Sequence, residues 1–350
     1  MPPDPAVVVI PRRRELRWAA LVLAAVSLAV AARVVYDNES ELVIAADAIR
    51  RVDPGWLVAA ASLEVGSYLT FGWAQRRLLI ASGTTVLRLG AVTATAVAAQ
   101  AAANCLPGGV AVSLAITYRR FSRRDVDPSI CGWMLVLCTV LNTSALAALA
   151  IVGVEIAGSS SPSVPDLRLT SFVVLTVLSV CGGLLYAVRH RRFPLRFLAW
   201  ASGAWQRRRP TQGAGSAVRS LARLQAMRPQ PQALVGAAAC LALSWLLDAG
   251  CLALAFPALG SRPPWQGLLL SYCAAQLAAT LPFTPGGLGV VEGSLTVALV
   301  AYGGSAHAAL TAVLLYRMIS YWALIPTGGL CYAWLLRDER VWEHQWAVPA

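Results

Sequence analysis

Apolar residues dominate this chain in runs, and short polar stretches separate them. The runs cover Trp18–Ala32, Trp56–Trp73, Val86–Ala103, Ile130–Val154, Leu169–Val188, Ala233–Phe256, Gln266–Leu281, Val290–Tyr302 and Ala306–Leu336. A helix needs about 20 apolar residues to cross a bilayer core of about 30 Å. Most runs meet that length, and no strand-like alternation competes with them, so the pattern predicts an all-α polytopic membrane protein. Two places break the pattern. After Ala103 comes "NCLPGG" (Asn104–Gly109), then only about ten apolar residues before "YRRFSRRD" (Tyr118–Asp125). Ten helical residues rise about 15 Å, half of the core. The second break is "LPFTPGGLGVVEG" (Leu281–Gly293), with two prolines, four glycines and a glutamate inside an apolar region. Both breaks predict re-entrant helical hairpins that turn within the membrane.

Charge orients these elements. The net charge is +12, and the basic residues cluster between apolar runs, as cytoplasmic loops do. The long segment from His190 to Gln232 holds nine arginines between Arg191 and Arg228 and no acid. Within it, "FPLRFLAWASGAWQ" and "AVRSLARLQAM" read as amphipathic pieces for the cytoplasmic leaflet, with a disordered basic linker as the alternative. The sequence therefore divides as follows. Residues 1–17 form a basic cytoplasmic N-terminus, and 18–188 a first membrane half with a re-entrant hairpin at 86–118. Residues 189–232 are the basic cytoplasmic linker. Residues 233–336 form a second membrane half with a hairpin at 266–302, and 337–350 a cytoplasmic tail. That gives about six full spans plus two hairpins. Eight ordinary spans, with each PGG an extramembrane turn, are the alternative. The first run is read as a transmembrane helix rather than a signal peptide, and both termini as cytoplasmic, in a multi-pass protein of the cell (inner or plasma) membrane.

Composition narrows the chemistry. The chain is 57% hydrophobic and 13% charged, with mean hydropathy +0.62. Every one of the 29 basic residues is arginine, which excludes a P-loop and a lysine nucleophile. The three histidines form no H-E-x-x-H, and the eight cysteines no C-x-x-C. No metal site, cofactor or enzymatic nucleophile is expected, and the positive charge reads as membrane topology, not nucleic-acid binding.

The two halves resemble each other. "LPGGVAVSLA" (Leu106–Ala115) parallels "TPGGLGVVEGSL" (Thr284–Leu295), with Pro107 and Pro285 separated by 285 − 107 = 178 residues. The same shift moves Trp56–Trp73 onto Leu234–Cys251, and Ile130–Val154 onto Ala308–Tyr332. The charge pattern sends the two hairpins in from opposite faces, which predicts an inverted-topology repeat with broken helices meeting near the midplane. Four ionisable groups lie inside apolar runs: Glu64, Asp248, Glu292 and Arg317. Each would cost about 3 kcal/mol or more facing lipid, so each should face the interior. Arg317 lies about ten residues into its run, within side-chain reach of Glu292 or of the hairpin tip. Helix N-termini after each PGG and a guanidinium favour an anion there. Pro107, Gly108, Gly109, Pro285, Gly286, Gly287, Gly289, Glu292 and Arg317 are thus the expected transport set. Glu64 and Asp248 are candidates for counter-charge or a coupling proton. A structural ion pair is the simpler reading of Glu292 with Arg317.

"LPFTPGGLGVVEGSLTVAL", "LLYRMISYW" and the looser "NCLPGGVAVSLAITYRR" resemble the lysylphosphatidylglycerol synthase transmembrane, or flippase-like, family, over roughly Arg14 to Arg337. The resemblance implies movement of an anionic, and in the bifunctional members aminoacylated, phospholipid or lipid-linked headgroup between leaflets. It carries the functional role onto Pro285, Gly286, Gly287, Gly289, Glu292 and Arg317. The sequence ends at Ala350, so an aminoacyl-transferase domain and its synthase activity are not expected. Membrane phospholipids are the expected partners, with a homo-oligomer or a biosynthetic enzyme as further partners. The alternative function is a non-transporting scaffold or regulator of envelope-lipid biosynthesis.

Overall fold

The computed structural model describes residues 52–83, 87–105, 109–122, 124, 126–158, 231–279 and 285–346. The expected first span, the Leu169–Val188 span, nearly all of the basic linker and the chain termini lie outside these residues, as do Pro107 and Gly108. Among the described residues the fold is entirely helical. The helices are α1 (Pro54–Ala81), α2 (Leu89–Cys105), α3 (Gly109–Ser122), α4 (Pro128–Gly158), α5 (Pro231–Ala258), α6 (Trp265–Ala279), α7 (Val290–Ala301), α8 (Ala306–Arg317) and α9 (Leu324–Trp346). A single 3₁₀ turn, Pro285–Gly287, precedes α7, and a π segment, Met318–Trp322, joins α8 to α9.

Local signals fix the helix starts. Asp53 caps α1 by accepting from Gly55 N at 2.8 Å, and Pro54 opens it at a position whose N–H has no helical partner anyway. Ser305 caps α8, accepting from Ala308 N at 3.3 Å. Among the described residues three helical stretches are long and apolar enough to cross a membrane: Ile130–Gly158, Pro231–Ala258 and Ala306–Asp338. Helix α1 matches α5 in length at 28 residues but is more polar, with Glu64, Ser67 and Tyr68 along it. Outward faces are apolar, with Val235 70% and Leu330 72% exposed, as lipid-facing surfaces are.

The packing partners of the two halves exchange. Helices α1 and α5 lie antiparallel along their whole length. Asp53 N reaches Ala258 O at 3.1 Å at one end, the Arg77 guanidinium abuts Gly236 at the other, and Ser67 Oγ meets Ser244 Oγ at 3.1 Å between them. Helix α2 packs against α9, where Gly328 lets Ala101 approach closely. Helix α6 packs against α4, where Gly153 does the same for Leu270. Helices α2 and α6, each just before a PGG, thus pack on long helices distant in sequence, α9 and α4. The buried core follows suit. One cluster joins α5–α8 to Ala60 of α1 and to Leu146 and Ala150 of α4, another joins α1–α4 to Ala237 and Leu241 of α5, and a small third joins Ala94 and Ala98 of α2 to Leu335 of α9.

Candidate functional site

The backbone before α7 prepares the site. Gly286, Gly287 and Gly289 have φ of 60°, 70° and 80°, a region L side chains rarely adopt. At Gly286 space forbids a side chain too, since a Cβ would stand 2.4 Å from the Tyr321 ring. Three left-handed residues so close together turn the chain into the start of α7. Glu292 lies in the first turn of α7. Its Oε2 accepts from Gly289 N at 2.7 Å, a favourable place for negative charge.

The other carboxylate oxygen, Oε1, accepts from Arg317 Nε at 2.6 Å, while Arg317 Nη2 donates to the Gly286 carbonyl at 3.2 Å. The Arg317 and Glu292 side chains are 10% and 16% exposed, so the pair is largely withdrawn from solvent. Arg317 ends α8, and the π segment follows it directly. Tyr321, four residues on and therefore on the same face, lies under the guanidinium, whose Cζ sits 4.4 Å from the ring centroid. The Tyr321 hydroxyl donates to the Asn104 carbonyl at 2.9 Å, at the end of α2. The residue before the first break is therefore tied to Gly286 of the second through one aromatic side chain. Helices α7 and α8 each have 12 residues, so each rises about 18 Å from the Gly303–Ser305 turn. That is a little over half of a bilayer core of about 30 Å.

A second polar cluster lies where α1 and α5 meet. Glu64 and Asp248 lie side by side, with Tyr68 next to Glu64. Asp248 Oδ2 accepts from Tyr272 Oη at 2.6 Å and Gln276 Nε2 at 3.4 Å. Gln276 Nε2 also donates to Tyr316 Oη at 3.2 Å, one residue before Arg317.

A model of the lysylphosphatidylglycerol synthase transmembrane region matches residues 17–328. The chain belongs to that family. It is also similar to a UPF0104 membrane protein of Methanothermobacter thermautotrophicus, 32% identical over 100 residues. That match spans 28% of this chain and 30% of the relative, so the chain covers under a third of the relative's length. The family resemblance read from the sequence is thus correct, and membership makes the chain a membrane protein with transmembrane helices.

Of the residues singled out in this family member's sequence, Gly286, Gly287, Gly289, Glu292 and Arg317 come together around one break. Pro285 starts the 3₁₀ turn beside them. Gly109 opens α3 where a Cβ would collide with the Ala103 carbonyl at 1.9 Å, so the first break also needs a glycine at its exit. Glu64 and Asp248 come together away from the break. Five residues of these clusters escaped the sequence reading: Tyr68, Tyr272, Gln276, Tyr316 and Tyr321. Tyr272 and Gln276 were visible as a polar pair four apart in an apolar run, hence on one helix face. Tyr321 carried the same signal, four residues after Arg317 and so on its face of the helix.

Proposed function

We propose that this protein moves an anionic phospholipid or lipid-linked headgroup between leaflets, with Arg317 as the headgroup's anchor. The observation that carries the reading is the coordination of Arg317 at a backbone break by the protein's own carboxylate. Glu292 occupies both the guanidinium and the N-terminus of α7, the two features that would bind a phosphate. Arriving phosphate oxygens replace Oε1 on Nε and take up further guanidinium donors, while Glu292 retains its bond to Gly289 N. The arginine is then never left bare in a low-dielectric site, so the exchange avoids the several kcal/mol that an unpaired buried charge costs. The acyl chains stay in the bilayer.

Several features support a midplane site reached from both faces. The two hairpins enter from opposite sides by the arginine asymmetry. Helices α1 and α5 start at Pro54 and Pro231, 231 − 54 = 177 residues apart, and run antiparallel, as an in-plane pseudo-two-fold axis requires. The exchanged packing of α2 on α9 and of α6 on α4 fits the same axis. We therefore read the chain as an inverted repeat with re-entrant hairpins, a cell-membrane location and cytoplasmic termini.

The test is leaflet exposure of a fluorescent anionic lipid in proteoliposomes. The wild type should move it faster than protein-free vesicles do. Arg317→Lys should remove most of that rate, because an ammonium lacks the planar fork that holds two phosphate oxygens. Wild-type rates in Arg317→Lys would reduce the pair to a helix-orienting tie. The nine arginines of the linker favour a second reading, a membrane scaffold. It requires the reverse pattern, with sensitivity at Arg207–Arg209 and none at Arg317.

A further inference from the structure

The carboxyl pair at the α1–α5 crossing plays no part in holding a headgroup, yet its arrangement is unusual. Glu64 is 7% exposed, and it pairs with Asp248 rather than with a cation. Glu64 Oε2 and Asp248 Oδ1 are both sealed from solvent, and neither finds a hydrogen-bond donor. Two ionised carboxylates offer only acceptors and repel each other, so they stay paired in a buried site only if one carries a proton that becomes the missing donor. The surrounding groups say which one. Asp248 Oδ2 takes hydrogen bonds from Tyr272 and Gln276, with Tyr316 beside it and Arg317 near enough to act on its charge. Glu64 has Tyr68, and Cys251 faces the same cluster. The donors and the positive charge converge on Asp248, leaving the proton on Glu64. A metal cation fits poorly, since donors already occupy Oδ2 and no group of three or more His, Cys, Asp and Glu is assembled among the described residues.

We propose that Glu64 and Asp248 hold one exchangeable proton between them, and that this proton site is coupled to the Arg317 site through Tyr272, Gln276 and Tyr316. The only bond that changes is the O–H of Glu64, with the proton drawn from and returned to water. When Arg317 trades Glu292 for a phosphate, the field at Asp248 changes and so does the pair's hold on its proton. The coupling is reciprocal, so the proton also alters the hold on the headgroup. The coupling part rests on the translocator reading; the proton site does not.

Infrared spectroscopy of the whole protein in phosphatidylcholine vesicles reads the proton directly. The wild type should show a carboxylic-acid C=O band at neutral pH that disappears on alkaline titration. Glu64→Gln should lack it, and Asp248→Asn, which removes the opposing charge, should move its disappearance to lower pH. No band in the wild type, or an undiminished band in Glu64→Gln, overturns the site. Should Glu64→Gln not fold, the wild-type titration and Asp248→Asn still decide. Replacing phosphatidylcholine with phosphatidylglycerol should shift the wild-type midpoint and leave the Arg317→Lys midpoint in place. An unshifted wild-type midpoint overturns the coupling. The lipid-exposure assay separates the two readings: lipid movement without a band sinks the proton site alone, and a band without movement sinks the translocator alone.

Discussion

Between α2 and α3 the sequence passes from Cys105 to Gly109 through Leu106, Pro107 and Gly108. At the α6–α7 junction a similar PGG turn is wrapped by a carboxylate, a guanidinium and a tyrosine ring. The 178-residue shift makes the contrast specific. Glu292 falls on Leu114 (292 − 178 = 114), and Arg317 on Thr139 (317 − 178 = 139). Leu114 is 37% exposed, and Thr139 turns its hydroxyl back to the Leu135 carbonyl of its own helix. So the first half places an outward apolar group and a self-satisfied hydroxyl where the second places an ion pair. Breaking a helix and charging the break are separate devices. Among the described residues the charged device stands beside the second junction, not at the shifted positions of the first.

The largest expected effect tests whether the charge belongs to the second junction alone. Arg317→Ala or Glu292→Ala should each cost about 3–5 kcal/mol, because the surviving partner is left without its counter-charge in a largely buried site. The double variant should recover part of that loss in a detergent melting curve. Thr139→Ala and Leu114→Ala, the shifted counterparts, should change stability far less than either. Equal losses at the two junctions would erase the contrast.

Next in size is the turn itself. Gly286→Ala meets both an unfavourable φ and the Tyr321 ring 2.4 Å away, so it should cost about 1–3 kcal/mol. It should also displace the ring from Arg317. Gly293→Ala is the control, since a Cβ there meets nothing within 4 Å and the residue is helical. It should be neutral or stabilise by about 0.5–1 kcal/mol. A Gly286→Ala protein that melts with the wild type would show that the ring has room to yield.

Smaller again is Tyr321→Phe. It removes the hydroxyl bond to the Asn104 carbonyl, worth about 1 kcal/mol, and keeps the ring under Arg317. If that bond is what ties the two junctions, amide exchange should rise at the α2 end as well as around Gly286. A rise confined to the second junction would mean that the first stands on its own packing.

These contrasts also show what the sequence could and could not reveal. Apolar run lengths were enough for α1, α4, α5 and the α8–α9 rod, because lipid imposes a length on any spanning helix. The reach of Arg317 to Glu292 was also legible, since both lie about half a membrane from the same turn. Tyr321 was visible four residues after Arg317, but its bond to the Asn104 carbonyl was not, because it joins helices far apart in sequence. The Glu64–Asp248 contact was not either. It requires knowing that α1 and α5 run antiparallel in one register, a tertiary fact that the period of a single helix does not contain.

That register makes the smallest prediction the cleanest one for the repeat. Ser67 and Ser244 are 244 − 67 = 177 apart, the same offset as the helix starts Pro54 and Pro231. They meet where α1 crosses α5, and Ser244 also donates to the Ser67 carbonyl at 3.0 Å. Hydroxyl bonds between helices in membranes average about 0.6 kcal/mol, because the separated helices find other partners. Ser67→Ala and Ser244→Ala should each cost about that much, and a double-mutant cycle should return a coupling of similar size. Near-equal single losses would mark the crossing as the axis that relates the halves. A large loss from Ser244→Ala with none from Ser67→Ala would place the weight on the Ser67 backbone carbonyl. The hydroxyl pair would then be incidental, and the shared offset at this crossing would carry no energetic signature.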